Sequence, residues 1–549
     1  MLTKLHNKEI LDDFYSVQSQ LTMEMELKQF FVVTPASQIA EIFKGLSGSV
    51  MNQFAYLNLV LKVIRELNVE PVQTFALLQA VRPVIHQKFQ VATVRFIGRP
   101  VTNSSQAGEI VFEAIALFTR LTDTYDSIVN EARRFGDSQT FIIGSAIHMA
   151  LSDKVRLVLC YLQLYQEVPE EIWKNAHRLY LIAGEANVTS QIFQDKLAFP
   201  NHTLTIRQVY LYIFLLATAG SRSLSTDEIA ALAEFLKDWV KLVNLVRREN
   251  GSTEQGLYID PAHSTMPFFA SDMAPTDSPT LWLIDLQKIK EKLGKAFVQQ
   301  KFVEGVRYTL SPWSCRKILD NWTRPPRRVD ERISTGKAPL IAKIGLPSAN
   351  VAGPLVVDHF AEDLSEADVA MKKLAYDLSF IDLQWKAIST LSRERSMVFL
   401  ANVIDYSGSG CCLEWSDKAS GYLSINELVL LQEKNEAYCK LGQIVWMKTK
   451  IGSRLHTGVS FISWKNFPVA IRLSQGGFFR ADGDSVHGFI TGSTQESRQH
   501  YGLLLKNKNL KTGQIVELLQ DGQQRYAKLL EPLGHNDKYQ CFNLGLFEA

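Results

Sequence analysis

Two short segments of this 549-residue chain carry residue types suited to holding a bulky anion. The first is Arg327-Arg328-Val329-Asp330-Glu331-Arg332, with Arg328 and Arg332 four residues apart. Guanidinium groups bond phosphate through paired N–H donors and stack on planar bases. The second is Asp405-Tyr406-Ser407-Gly408-Ser409-Gly410, directly after the apolar run from Met397 to Ile404. It reads as a strand running into a tight turn. Glycines and short side chains there leave backbone N–H groups open to a ligand. Asp405 is suited to accept from a base N–H or to orient an arginine. Ser407 and the backbone as far as Gly410 are suited to donate to phosphate or base edges. A phosphorylated purine would satisfy all of these groups together.

Other chemistries leave no trace. There is no G-x-x-x-x-G-K-[ST] phosphate loop, no G-x-S-x-G elbow, no H-E-x-x-H and no kinase motif set, so no catalytic residue is assigned and no enzyme is expected. No Cys-x-x-Cys occurs and the eleven histidines fall in no ligand spacing, so neither a metal nor a cofactor is expected. The six cysteines make no disulfide framework and read as reduced, mostly buried thiols. Adjacent Cys411 and Cys412 should point to opposite faces of a strand. A net charge of +2, from 59 basic and 57 acidic residues, argues against a DNA-binding surface. The N-terminus lacks a signal-peptide core, and the most apolar run, Val209–Ala219, falls short of the roughly 20 residues that span a bilayer. It reads as a buried helix of a cytoplasmic protein that is not membrane-embedded.

The elements that position the two segments come next. Residues 1–250 show helical periodicity, with candidate helices at 8–30, 36–66, 71–90, 107–134, 139–165, 169–197, 205–220 and 225–248. Trp173, Ala176, Tyr180 and Ala183 fall on one helical face, and the paired helices suggest a solenoid-like stack. His148 and His177 read as packed side chains. Residues 251–323 form a linker with one or two helices, near 283–299 and 311–321. Arg324-Pro325-Pro326-Arg327 stops helix formation, and the junction 324–339 is suited to a hinge. Pro339–Leu346 reads as a strand, helical periodicity returns near 350–391, and short strands dominate from 397. Leu441–Trp446 echoes Thr512–Glu517, each followed by an aromatic-ended strand, which suggests two related small barrels. The expected class is α+β: an all-α domain, then an antiparallel β-barrel at 324–465 with a helical insertion, then a second small β-barrel at 466–549.

An R-x-x-x-R segment ahead of one strand and D-x-S-x-x-G after another resembles the PilZ domain, a small β-barrel that binds the bacterial second messenger cyclic di-GMP. Arg328 and Arg332 match the first motif, with Arg327 adding a third arginine; Asp405, Ser407 and Gly410 match the second. Gly458-Val459-Ser460-Phe461 resembles the last barrel strand of that family. The resemblance covers roughly 320–465. One departure is the spacing: Arg332 precedes Asp405 by 73 residues, which the helical insertion would account for. Loop closure grows only slowly with length. Arg393 and Arg395, just before the strand into Asp405, are the alternative arginines, at R-x-R spacing. The resemblance implies a non-enzymatic cyclic di-GMP effector whose domains rearrange on binding. It also implies a protein partner in motility, pilus or secretion machinery. The alternative is a scaffold that keeps the barrel and binds no nucleotide.

Overall fold

The computed structural model describes residues 17–46, 48–94, 106–247, 256–263, 266–269, 281–305, 308–324, 331–344, 397–416, 419, 422–432, 440–449, 454–463, 466–473, 486–492, 501–506, 510–520, 523–535 and 539–547. The chain divides into two compact units. One holds Met1–Arg327 with Lys448–Ser453, and the other holds Arg328–Met447 with Arg454–Ala549.

Among the described residues the first unit has eleven helices: α1 (Val17–Val33), α2 (Ala36–Lys44), α3 (Val50–Glu66), α4 (Pro71–Thr93), α5 (Gln106–Arg133), α6 (Thr140–Gln163), α7 (Glu170–Glu185), α8 (Ile206–Thr218), α9 (Thr226–Trp239), α10 (Gln287–Val298) and α11 (Pro312–Thr323). Their starts follow from capping chemistry. Ser225 accepts from the Glu228 N–H while the Glu228 carboxylate accepts from the Ser225 N–H, and Thr205 with Gln208 repeats the box at α8. Pro71 and Pro312 occupy first-turn positions, where a missing N–H costs nothing.

Helix α6 is buried along nearly its whole length and touches α4, α5, α7, α8 and α9. The neighbouring helices pack around this central member. Val209–Leu216 are all buried in α8, as the apolar run required. The His148 Nε2–H donates to the Leu204 carbonyl (3.0 Å), and His177 meets the Tyr210 hydroxyl (2.7 Å) and stacks on Phe214; both are packed core histidines.

Residues 192–310 add strands that helical periodicity did not reveal. β1 (Ile192–Phe193) pairs with β2 (Leu204–Thr205). β3 (Asn244–Arg247), β4 (Leu257–Ile259), β5 (Phe268–Phe269) and β6 (Trp282–Asp285) make a four-stranded sheet, and β7 (Val303–Glu304) pairs with β8 (Thr309–Leu310). The candidate helices 169–197 and 225–248 thus end early, at Glu185 and Trp239. The segment read as a linker carries part of this sheet along with α10 and α11.

The second unit is all antiparallel among its described residues. β9 (Ile333–Ile344), β10 (Met397–Ser407), β11 (Gly410–Trp415), β12 (Leu428–Gln432), β13 (Lys440–Lys448) and β14 (His456–Ser463) close a barrel in the order β10-β11-β14-β13-β12-β9. β15 (Asn466–Leu473), β16 (Val486–Gly492), β17 (Tyr501–Lys506), β18 (Ile515–Gln520), β19 (Gln523–His535) and β20 (Tyr539–Phe547) close another in the order β15-β16-β17-β20-β19-β18. Strand for strand, the two orders are identical. The α+β class with two barrels stands.

The sequence echo that suggested the pair was misaligned. Leu441–Trp446 lies in β13, the fifth strand of its barrel, whereas Ile515–Glu517 opens β18, the fourth strand of the other. The topological partner of Ile515-Val516-Glu517-Leu518-Leu519-Gln520 is Leu428-Val429-Leu430-Leu431-Gln432. Both strands pair back onto the first strand of their barrel. The expected hinge at 324–339 also shortens, because residues 333–339 are already β9. The helical insertion at 350–391 lies outside the described residues.

Candidate functional site

β10 and β11 form a hairpin in which Ser407 pairs with Gly410 across Gly408-Ser409. The tip is tied down: the Phe461 N–H donates to the Ser409 carbonyl at 2.8 Å, and the Ser407 hydroxyl donates to the Gly410 carbonyl at 3.2 Å. A Cβ on Gly410 would sit 2.2 Å from the Val459 carbonyl oxygen, so this glycine lets β11 approach β14. Nothing lies within 4 Å of the equivalent point at Gly408.

The direction of Asp405 depends on a bulge. Along β10, Ala401 and Val403 face the core together with Leu413 and Trp415 of β11. Strict alternation would send Asp405 inward after Val403. Instead Val403 pairs with Leu413 while Asp405 pairs with Cys412, leaving Ile404 as an extra residue. That one-residue slip turns Asp405 and Ser407 to the outward face. On the other side, Val403 pairs with Ala338 and Asp405 with Ser334, so Thr335-Gly336-Lys337 bulges opposite Ile404. Gly336 and Lys337 both take left-handed backbone angles there, with φ of 63° and 66°. The Thr335 hydroxyl donates to the Val403 carbonyl and closes the bulge.

Arg332, immediately before β9, now meets Asp405. Its Nη1 lies 2.8 Å and 2.9 Å from the two carboxylate oxygens. The two side chains keep 35% and 25% of their surface exposed, so the pair remains accessible to a ligand. The structure therefore brings together Arg332, Asp405, Ser407 and Gly410. Arg327 and Arg328, and the alternative Arg393 and Arg395, lie outside the described residues.

Further along the same outward face is a second charged group that sequence reading missed. Glu414 is buried and receives the Lys337 ammonium at 3.0 Å and the Asn402 amide at 3.3 Å. Arg454 and His456 approach it at 3.7 Å and 3.6 Å. Burial opposes ionisation of Glu414, but the bonds from Lys337 and Asn402 outweigh it and hold the carboxyl below its ordinary range. Between the two groups lies Cys412, whose thiol is pushed up to about 11 by burial, with Asp405 and Glu414 adding and Arg332 opposing. Cys411 faces the other way, and both side chains are buried. No spacing rule joins Lys337, Glu414 and Arg454, because they come from two strands and a loop. Among the described residues no group of His, Cys, Asp and Glu could hold a metal ion, and no helix is long and apolar enough to cross a membrane.

The strand corner thus holds an arginine clamped to an aspartate. Residues 47–249 match the family model described as the N-terminal domain of the cyclic-di-GMP receptor FimW. The chain is also similar to the cyclic-di-GMP receptor FimW of Pseudomonas aeruginosa, at 22% identity over 445 residues, covering 72% of each chain. That relative is named as a receptor and not as an enzyme. No solved structure matches the chain.

Proposed function

We propose that this chain is a cytoplasmic cyclic di-GMP effector of the PilZ type, with its ligand at the β9–β10–β11 corner of the first barrel. The observation that carries the reading is the meeting of Arg332 with Asp405, one residue from each motif, 73 positions apart in sequence. In this reading Arg332, with Arg327 and Arg328, clasps phosphate and guanine, while Asp405, Ser407 and the backbone at Gly410 bind from the other side. The similarity to a receptor named for the same ligand supports it.

Ligand binding acts as a signal only through a difference in affinity between two arrangements of the chain. The segment from Arg324 to Arg332 joins the helices to the barrel, so drawing its arginines onto a ligand changes how the domains are arranged. Output passes to a protein partner, with motility, pilus or secretion machinery suggested by analogy alone. No catalytic step is assigned.

One observation favours a second reading, a nucleotide-free scaffold: Arg332 and Asp405 already satisfy each other. Isothermal titration of the full chain with cyclic di-GMP separates the two. Saturable heat that is lost in Arg328→Ala and Arg332→Ala, and kept in Arg393→Ala, supports the receptor. Flat titrations of the wild type support the scaffold.

A further inference from the structure

The cluster around Glu414 is not explained by barrel packing alone. Its cations stand in solvent: the side chains of Lys337 and Arg454 keep 63% and 59% of their surface exposed, against 9% for Glu414. The carboxylate is thus sunk beneath positive heads. One carboxylate faces an ammonium, a guanidinium and an imidazole, so the group carries a net positive charge even with His456 neutral. The Arg454 guanidinium stands 3.7 Å from Glu414, an ion pair beyond hydrogen-bond range.

The backbone under Lys337 adds an independent observation. Lys337 is a non-glycine residue in the left-handed region, the last residue of the bulge opposite Ile404. Such a conformation is strained for a residue with a side chain and concentrates at ligand clamps. The bulge that turns Asp405 outward is also the one that carries Lys337 onto the same face. Register fixes the separation: Asp405 pairs with Cys412 and Asn402 with Glu414, so the two charged groups lie two residues apart along β11, roughly 7 Å.

We propose that Lys337 and Arg454, braced by Glu414, form a second phosphodiester subsite on the outward face of the first barrel. It rests on the reading of the Arg332–Asp405 corner as a cyclic di-GMP site and extends it. An anion with two phosphodiesters laid along β11 meets Arg332 at one end and Lys337 with Arg454 at the other. The phosphodiester at this subsite belongs either to the same dinucleotide or to a second copy.

The test is isothermal titration of the full chain with cyclic di-GMP and, separately, with inorganic pyrophosphate, at low and high salt. The proteins are wild type, Lys337→Met, Arg454→Met, the double variant and Arg332→Ala. Arg454→Met should leave the melting temperature unchanged, Lys337→Met, which removes a partner of the buried Glu414, should lower it modestly, and all titrations run well below the transitions. Each single variant should weaken cyclic di-GMP about tenfold, and the double variant should also show a shallower salt dependence. An unchanged stoichiometry assigns the subsite to the same dinucleotide; a halved stoichiometry in the double variant assigns it to a second copy. Equal affinity and salt dependence in wild type and double variant, with Arg332→Ala still defective, overturn the subsite and leave the receptor standing. Wild type silent to cyclic di-GMP overturns the receptor. Pyrophosphate binding that the double variant loses then still supports an anion subsite, and pyrophosphate binding that it keeps, or no binding in any protein, overturns it.

Discussion

The Arg332 guanidinium grips both carboxylate oxygens of Asp405, at 2.8 Å and 2.9 Å, from 73 positions away in sequence. Both side chains remain partly exposed, and such pairs contribute about 1 kcal/mol or less to stability. Arg332→Ala should therefore leave the thermal midpoint nearly unchanged while weakening cyclic di-GMP more than tenfold in a titration. A large drop in midpoint with intact binding would show that the pair is a structural clamp.

The two glycines of the turn should behave differently. Gly410→Ala forces a Cβ against the Val459 carbonyl, a backbone atom that cannot rotate away, so a loss of about 1–3 kcal/mol is expected in chemical denaturation. Gly408→Ala meets open space and should stay within about 0.5 kcal/mol of wild type. Equal effects at the two sites would contradict the strand-approach account of Gly410.

In the helical unit, Arg82 is buried with Asp153 and Asp195, bonding Asp195 through Nη1 at 2.9 Å and Asp153 through Nε at 3.0 Å. Removing one partner strands an uncompensated charge, so Asp153→Ala should destabilise this unit by about 3–5 kcal/mol. Differential scanning calorimetry would show the loss in one transition. An unchanged transition would mean that the network contributes nothing net.

The same network sets an acid limit. Arg156 donates to His86 Nδ1 at 2.9 Å, so the ring is neutral, with its Nε2 proton on Asp153 at 2.8 Å. Burial holds the His86 pKa low, and Arg82 overcomes burial to hold Asp153 low as well. Both groups bind protons more readily when unfolded. Their stabilisation is complete above the unfolded values, about 6.5 for histidine and 3.9 for aspartate. It is lost as pH falls through them, first His86 and then Asp153. His86→Gln should flatten the stability profile below about pH 6.5. A profile identical to wild type over that range would rule out His86 as the source.

The two barrels share an apolar cluster of Leu428, Leu430 and Leu441 from one with Phe489, Leu504 and Tyr539 from the other. The Tyr539 hydroxyl donates to Glu427 at 2.6 Å. Phe489→Ala should cost about 3–5 kcal/mol and lower the melting of both barrels together. Independent melting of the two would show that the cluster does not couple them.

Much of this was legible in the chain itself. Apolar residues three and four apart located the helices, and the caps at Ser225 and Thr205 marked starts that depend only on neighbours within a turn. The strand into Asp405 and the hairpin at Gly408-Ser409 were local too. The barrel echo was seen but misaligned, because Gly-Gln-Ile-Val is too short to distinguish a fourth strand from a fifth. What local pattern could not supply was the slip at Ile404. Alternation assigns Asp405 to the core with Val403, and only pairing to β9 and β11 together turns it outward to Arg332. The Glu414 group was invisible for the same reason: Lys337, Asn402 and Arg454 converge through register between strands distant in sequence. Short-range sterics and hydrogen bonding write the elements into the sequence; which side chains share a face is settled by how those elements pair, an energy that no single segment carries.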